Sequence, residues 1–193
     1  MSKSDIAIFY PTSKMAWRKW LEKNHFQKDK VWLVFYKKYS ERPTINWSDA
    51  VDVALCFGWI DSKKVAIDSE ESHQFFCKRK PKSTWSKINK EKVANLIEAG
   101  LMTKAGYESI ETAKQNGSWT ILDEVEELII PKDLEKAFKT KRGSKDFFVS
   151  LSKSMRKMIL QWIVLAKRAE TRQKRINDIA ELAGQKLKPK QFR

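Results

Sequence analysis

Two short stretches concentrate the residue types that chemistry needs. The first, Ala54-Leu55-Cys56-Phe57-Gly58-Trp59-Ile60-Asp61-Ser62-Lys63-Lys64, sets an acid, a hydroxyl and two lysines directly after a bulky apolar segment. That order suits the rim of a pocket, with Trp59 as a wall and Asp61 and Lys63 as the polar groups that orient a ligand. The same residues also make an ordinary helix-to-strand corner, in which Asp61 pairs with a cation such as Arg79. The second stretch, Lys78 to Asn89, sets Trp85 among Arg79, Lys80, Lys82 and Lys87. Aromatic rings among cations stack bases while the cations hold phosphates; in the plainer alternative Trp85 anchors a polar loop to the core. Candidate pocket-rim residues are therefore Trp59, Asp61, Lys63, Arg79 and Trp85.

The familiar catalytic signatures are missing. There is no P-loop, no dinucleotide-type glycine fingerprint and no nucleophile elbow, and six glycines leave little with which to build a phosphate-cradling loop. A Ser/His/Asp arrangement has only His25 and His73 to draw on, and neither lies in a recognisable setting. Cys56 and Cys77 are far apart, form no CxxC and sit beside Phe57 and Phe76, so they read as small hydrophobes. No metal site and no cofactor is expected, and no catalytic residue is assigned.

Charge limits the partners. The formal net charge is +15. Residues 1–131 hold 21 Lys/Arg against 18 Asp/Glu, whereas residues 132–193 hold 18 against 6. A field of this sign favours an anionic partner, an acidic protein surface or nucleic acid. Arg168, Arg172 and Arg175 fall on one helix face at i, i+4 and i+7, and with Lys80, Lys82 and Lys87 they form a candidate anion surface. Met1 to Pro11 holds only a short Ile6-Ala7-Ile8-Phe9 run, and the Met158–Ala166 stretch is too short for a membrane span. The expectation is a cytoplasmic protein without a transmembrane segment; no oligomeric state is implied.

The elements that must position these residues follow from periodicity and punctuation. Met15 to Leu21 reads as an amphipathic helix capped by Ser13, and Val31 to Tyr36 as a buried strand. Ser48 reads as the cap of a helix carrying Val51, Ala54 and Leu55 on one face. Gly58 then stands at a helix end or a close contact. Ile60–Ile67 and Gln74–Arg79 read as an antiparallel pair. Helices follow over 90–99, stopped by Gly100, and over 104–116, stopped by Gly117. Pro131 precedes a helix over 133–140. A last long helical segment starts near Ser152 or Ser154, breaks near Ala169-Glu170-Thr171 and restarts with Thr171 as cap; the tail from Lys186 to Arg193 is expected to fray. The fold class is α+β: a small antiparallel sheet with helices in the N-terminal half and a helical C-terminal module. The expected divisions are an α+β lobe over 1–92, a helical connection over 93–130, a helical module over 131–185 and a basic tail.

Ala54 to Asp61, the Arg79-Lys80-Pro81-Lys82-Ser83-Thr84-Trp85-Ser86-Lys87-Ile88-Asn89 run, Gly100 to Thr103 with Gly106, Ala113 to Trp119, Pro131 to Leu134, Leu151-Ser152 and Ala166 to Arg172 together resemble the YdeI/OmpD-associated family. The likeness spans roughly residues 10 to 183. Ala169 departs from the proline usual there, which bears on how sharply the last helices break. The resemblance implies protection from bacteriocins or antimicrobial peptides, a stress-response role, and supplies no reaction, cofactor or site residue. Many such peptides are cationic, and a +15 protein repels them at long range. The leading expectation is a non-enzymatic binding protein. The alternatives are a nucleic-acid-binding protein using the C-terminal helices and Lys78–Lys92, and a small enzyme with a site at Trp59–Lys64.

Overall fold

The computed structural model describes residues 6–193, which divide into two compact units, one ending at Trp119 and one spanning Thr120–Arg193. The class is α+β, and each unit has a hydrophobic core of its own. Drawn by unit, the charge is more even than the sequence halves suggested: 21 cations against 14 acids in the first, 18 against 10 in the second.

In the first unit Ser13 caps α1 (Lys14–Asn24), its hydroxyl accepting from the Ala16 N–H at 3.1 Å. The apolar side of α1 buries Trp17 and Leu21, and the Trp17 indole donates to the Ala50 carbonyl at 3.1 Å. α2 (Trp47–Cys56) is capped by Asn46 rather than by Ser48: the Asn46 side chain accepts from the Asp49 N–H at 2.8 Å. Both residue types cap well; the chain leaves its extended conformation two residues earlier than expected, and Ser48 lies inside the helix, where its hydroxyl accepts from Lys92.

The sheet has four strands in the order β1-β2-β4-β3: β1 (Ile8–Phe9), β2 (Lys30–Tyr36), β3 (Trp59–Ala66) and β4 (Glu71–Lys78). β2, β4 and β3 pair antiparallel as expected, but β1 joins β2 parallel, so the sheet is mixed rather than antiparallel. β1 has two residues, too few for the period-2 pattern that reveals a strand. Between Asp61 and Lys64 the β3–β4 register slips by one residue, a bulge. Val31, Leu33, Phe35 and Phe76 face a core shared with α1, α2, α3 (Lys87–Glu98) and α4 (Lys104–Gln115). Ser86 caps α3 and Thr103 caps α4 through their hydroxyls. Gly100 and Gly117 take positive φ after these helices, as helix stops do.

The second unit is helical: α5 (Asp123–Glu126), α6 (Lys132–Lys139), α7 (Ser144–Ser150), α8 (Lys153–Val164) and α9 (Ala169–Gly184), then a 3-10 turn over Lys190–Phe192. Leu134, Phe138, Phe148, Ile159, Leu160, Ile163, Ile176 and Ile179 form its core. α7 has no counterpart in the sequence reading. It is launched by Gly143 at φ +74°, and the buried Ser144 hydroxyl donates to the Lys141 carbonyl at 2.7 Å. The α8–α9 break falls over 165–168 without a proline. Arg168, not Thr171, occupies the cap position of α9, and Thr171 lies inside the helix. The tail is not frayed, because Phe192 packs edge-on against Trp162 with centroids 5.8 Å apart. Among the described residues no helix is long and apolar enough to cross a membrane.

Candidate functional site

The α2–β3 corner is built around two close approaches that only glycine permits. Gly58, at φ +70°, ends α2 and turns the chain into β3; a Cβ there would lie 2.9 Å from the Ala105 carbonyl oxygen. Gly106 lets α4 settle on the end of α2, where the Cys56 carbonyl accepts from the Thr103 hydroxyl at 2.6 Å and from its N–H at 3.1 Å. α4 is thereby pressed against the corner, and a cleft of about 280 Å³ opens beside it. His25, Phe57, Gly58, Lys78, Arg79 and Ser109 are among its walls.

Arg79 is the most constrained of these side chains. Its N–H donates to the Gly58 carbonyl at 2.9 Å, which ties the end of β4 to the corner. The guanidinium lies over Trp85, 3.7 Å from the ring centroid, and Nη1 donates to the Thr84 carbonyl at 2.7 Å. Nε and Nη2 are buried and meet no acceptor among the described residues. Burial pulls the guanidinium down to about 10, a shift that the neighbouring Asp61 carboxylate opposes; at neutral pH it stays cationic. The indole N–H groups of Trp59 and Trp85 are likewise buried without an acceptor. Among the described residues of this unit the four buried side-chain atoms without a partner are all donors, and donors without acceptors are costly to bury. In the same cleft the His25 Nδ1–H donates to the Leu21 carbonyl at 2.8 Å, which in the neutral ring makes Nε2 the acceptor. Lys78 pairs with Asp29 at 2.9 Å and donates to the Phe26 carbonyl.

A family described as a domain of unknown function, DUF8412, matches residues 9–109. The chain belongs to that family. A second family, described as bacteriocin-protection, YdeI or OmpD-associated, matches residues 127–186, so the C-terminal segment carries the family expected from the sequence. The extent differs from that expectation: residues 54–61 and 79–89 fall within the DUF8412 match. No curated protein and no solved structure matches the chain.

Within the DUF8412 region the five expected rim residues divide. Arg79 and Trp85 meet face to face. Trp59 is fully buried, 6.2 Å from Trp20 between ring centroids. The Asp61 carboxylate does not pair with Arg79; it accepts from the Trp47 indole at 3.0 Å and from Gln74. Lys63, in the bulge, lies on the other face of the sheet with Trp32 and Phe75. His25 and Ser109 carried no sequence signal, and Lys78 was singled out only as the start of the basic Lys78–Lys92 stretch; the three come from separate elements and meet only through the fold.

The expected anion surface divides as well. Lys80, Lys82 and Lys87 are exposed at the Pro81 loop and the start of α3. In the YdeI/OmpD-associated segment, Arg172 grips Asp133 with Nε at 2.7 Å and Nη2 at 3.1 Å. That bond holds the Asp133 carboxyl below its ordinary value. Arg175 lies over Trp162, 4.9 Å from the ring, and donates to its carbonyl. Arg168 stays exposed. Two of the three arginines are thus spent on joining α9 to α6 and α8.

Proposed function

We propose that this protein is a non-enzymatic cytoplasmic binding protein that holds an anionic group, carboxylate or phosphate, at the Arg79–Trp85 clamp of its first unit. One observation carries the reading: a guanidinium fixed over an indole and by the Thr84 carbonyl, with Nε and Nη2 buried and unpaired. A planar fork with two parallel N–H donors matches a carboxylate or phosphate bidentately. Because the ring and the backbone already hold the fork, little rotamer entropy is lost when a ligand meets it. Lys78, whose ammonium is shared with Asp29, and the buried His25 line the same cleft. The bacteriocin-protection description of the C-terminal family fits a role exercised through an anionic partner, since direct capture of cationic peptides works against the +15 charge.

The test is a titration of the whole protein with inorganic phosphate, following the Arg79 Nε–H resonance. A saturable shift is expected, absent for the neighbouring Lys80 backbone signal in a folded Arg79→Met variant. Arg79→Lys keeps the charge without the fork and is expected to bind more weakly. An unmoved Nε–H signal, or equal phosphate binding by wild type and Arg79→Met, rejects the proposal.

A further inference from the structure

The sheet has a second face that neither core uses. Along β2 the residues alternate, so Val31, Leu33 and Phe35 enter the core while Trp32, Val34 and Tyr36 point the other way. β4 alternates in step: Phe76 is buried and Phe75 half-exposed. Register sets Trp32 directly opposite Phe75 on the two central strands, with the rings edge to face and centroids 5.0 Å apart. Neither ring belongs to a core or packs against one. Ile8, paired with Trp32 from the edge strand, is 62% exposed.

Two features give this face a charge preference. The bulge between Asp61 and Lys64 places an extra residue opposite Phe75, and Lys63 Nζ stands 5.2 Å from the Trp32 ring and 5.9 Å from that of Phe75. Lys30, exposed, begins β2 on the same side as Trp32. The strand acid on this side is Glu71, and it is occupied by the Tyr36 hydroxyl at 3.0 Å and the His73 ring at 2.6 Å. The rings therefore share their face with two exposed lysines, and the acid of that face is engaged at one end.

We propose that this face binds a single-stranded nucleic acid, its bases stacking on Trp32 and Phe75 and its phosphates meeting Lys30 and Lys63. Aromatic rings on a sheet surface flanked by cations serve unpaired bases, whose π faces a duplex keeps covered. An acidic polypeptide satisfies the lysines but offers nothing to the two rings. The contact of Lys63 with the rings is an exposed cation–π interaction, weaker than a base stack, so the ammonium can move to a phosphate as a base takes its place. This surface is distinct from the Arg79 cleft, which lies at the α2–β3 corner.

The experiment is fluorescence anisotropy of the full chain with labelled single-stranded oligothymidylate and oligouridylate. Trp32→Leu and Phe75→Leu keep an apolar side chain and remove the ring; each is expected to weaken binding about tenfold. Raising salt from about 50 to about 200 mM is expected to weaken it roughly sevenfold, the response of two phosphate contacts on a single strand. Lys30→Glu with Lys63→Glu, both at exposed positions, is expected to abolish binding and serves as the readout if a ring variant fails to fold. Absence of binding at about 50 mM salt overturns the proposal. So does unchanged affinity in the folded ring or lysine variants, or equally effective competition by duplex or by polyglutamate.

Discussion

Gly106→Ala is the substitution in which packing and local propensity disagree most sharply. Gly106 lies in the first turn of α4 and is buried. A Cβ there would lie 2.9 Å from the Cys56 carbonyl carbon, closer still to its oxygen, and 2.7 Å from Met102 Cε. The methionine end can move; the backbone at the end of α2 cannot, because Phe57 and Gly58 already bond back to Ala54 and Leu55. α4 must retreat by roughly half an ångström or more to restore ordinary contact, stretching both Thr103 bonds to the Cys56 carbonyl. Overpacking of this kind costs about 1–3 kcal/mol, against a helix-propensity gain of at most about 1 kcal/mol. A net loss of about 1–2 kcal/mol in the first unit is expected. Gly184→Ala is the matched control: its Cβ meets Lys141 Cβ at 3.5 Å, ordinary contact, at the end of α9. There the propensity gain stands nearly alone, so the second unit is expected to gain a few tenths of a kcal/mol. Native-state amide exchange, read separately in the two units, distinguishes the outcomes. If the first unit of Gly106→Ala exchanges no faster than wild type, the close approach of α4 to the corner does not hold it in place. Because α4 contributes Ser109 to the cleft, the same variant is expected to weaken the phosphate response at Arg79.

The Arg172–Asp133 pair makes a second prediction. Arg172 holds the Asp133 carboxyl below its ordinary value, so the stability it adds is complete above that ordinary value and is lost as pH falls through the lowered, folded-state one. Asp133→Asn is expected to cost about 1 kcal/mol near neutrality, as both side chains are about a third exposed, and to reduce the acid dependence of unfolding in the second unit. A variant with the wild-type acid profile argues against the pair. The cysteines make a third: burial pushes both thiols above their ordinary values, and Cys56 is 1% exposed. In the folded protein, alkylation by iodoacetamide at neutral pH is expected to be slow at the half-buried Cys77, and at Cys56 to wait for unfolding. Mass spectrometry of the labelled peptides checks the order, and prompt labelling of Cys56 contradicts it.

Much of this fold is written in local signals. Ser13, Ser86 and Ser152 cap helices where a hydroxyl precedes an apolar period, and Gly100 and Gly117 stop helices by taking a conformation that costs other residues more. What stayed hidden depends on partners distant in sequence. β1 has two residues and exists through its pairing with β2. α7 starts from Gly143 and a serine whose hydroxyl finds backbone carbonyls behind it, neither of which marks a periodic pattern. The stretch 165–168 breaks without the proline that would announce it. The site was legible in part for the same reason. Arg79 and Trp85, six residues apart across one loop, fall in one stretch of cations and an aromatic ring, and they do stack. Trp59 and Lys63 are closer in sequence, yet β alternation and a bulge send them to opposite faces. The i, i+4, i+7 spacing put Arg168, Arg172 and Arg175 on one helix face, but Arg168 precedes α9 in extended backbone as its cap residue, and nothing in that spacing named Asp133 or Trp162 as neighbours of the other two.

The indoles are divided unequally between the two units. Seven of the eight tryptophans belong to the first unit, while Trp162 alone serves the second, beside Arg175 and Phe192. Intrinsic emission is therefore almost wholly a signal of one unit. Replacing Trp162 with Phe would leave the second unit dark, so that its melting is followed by ellipticity and that of the first by light. The chain thus comes close to carrying two optical channels, one for each of its modules, without any label.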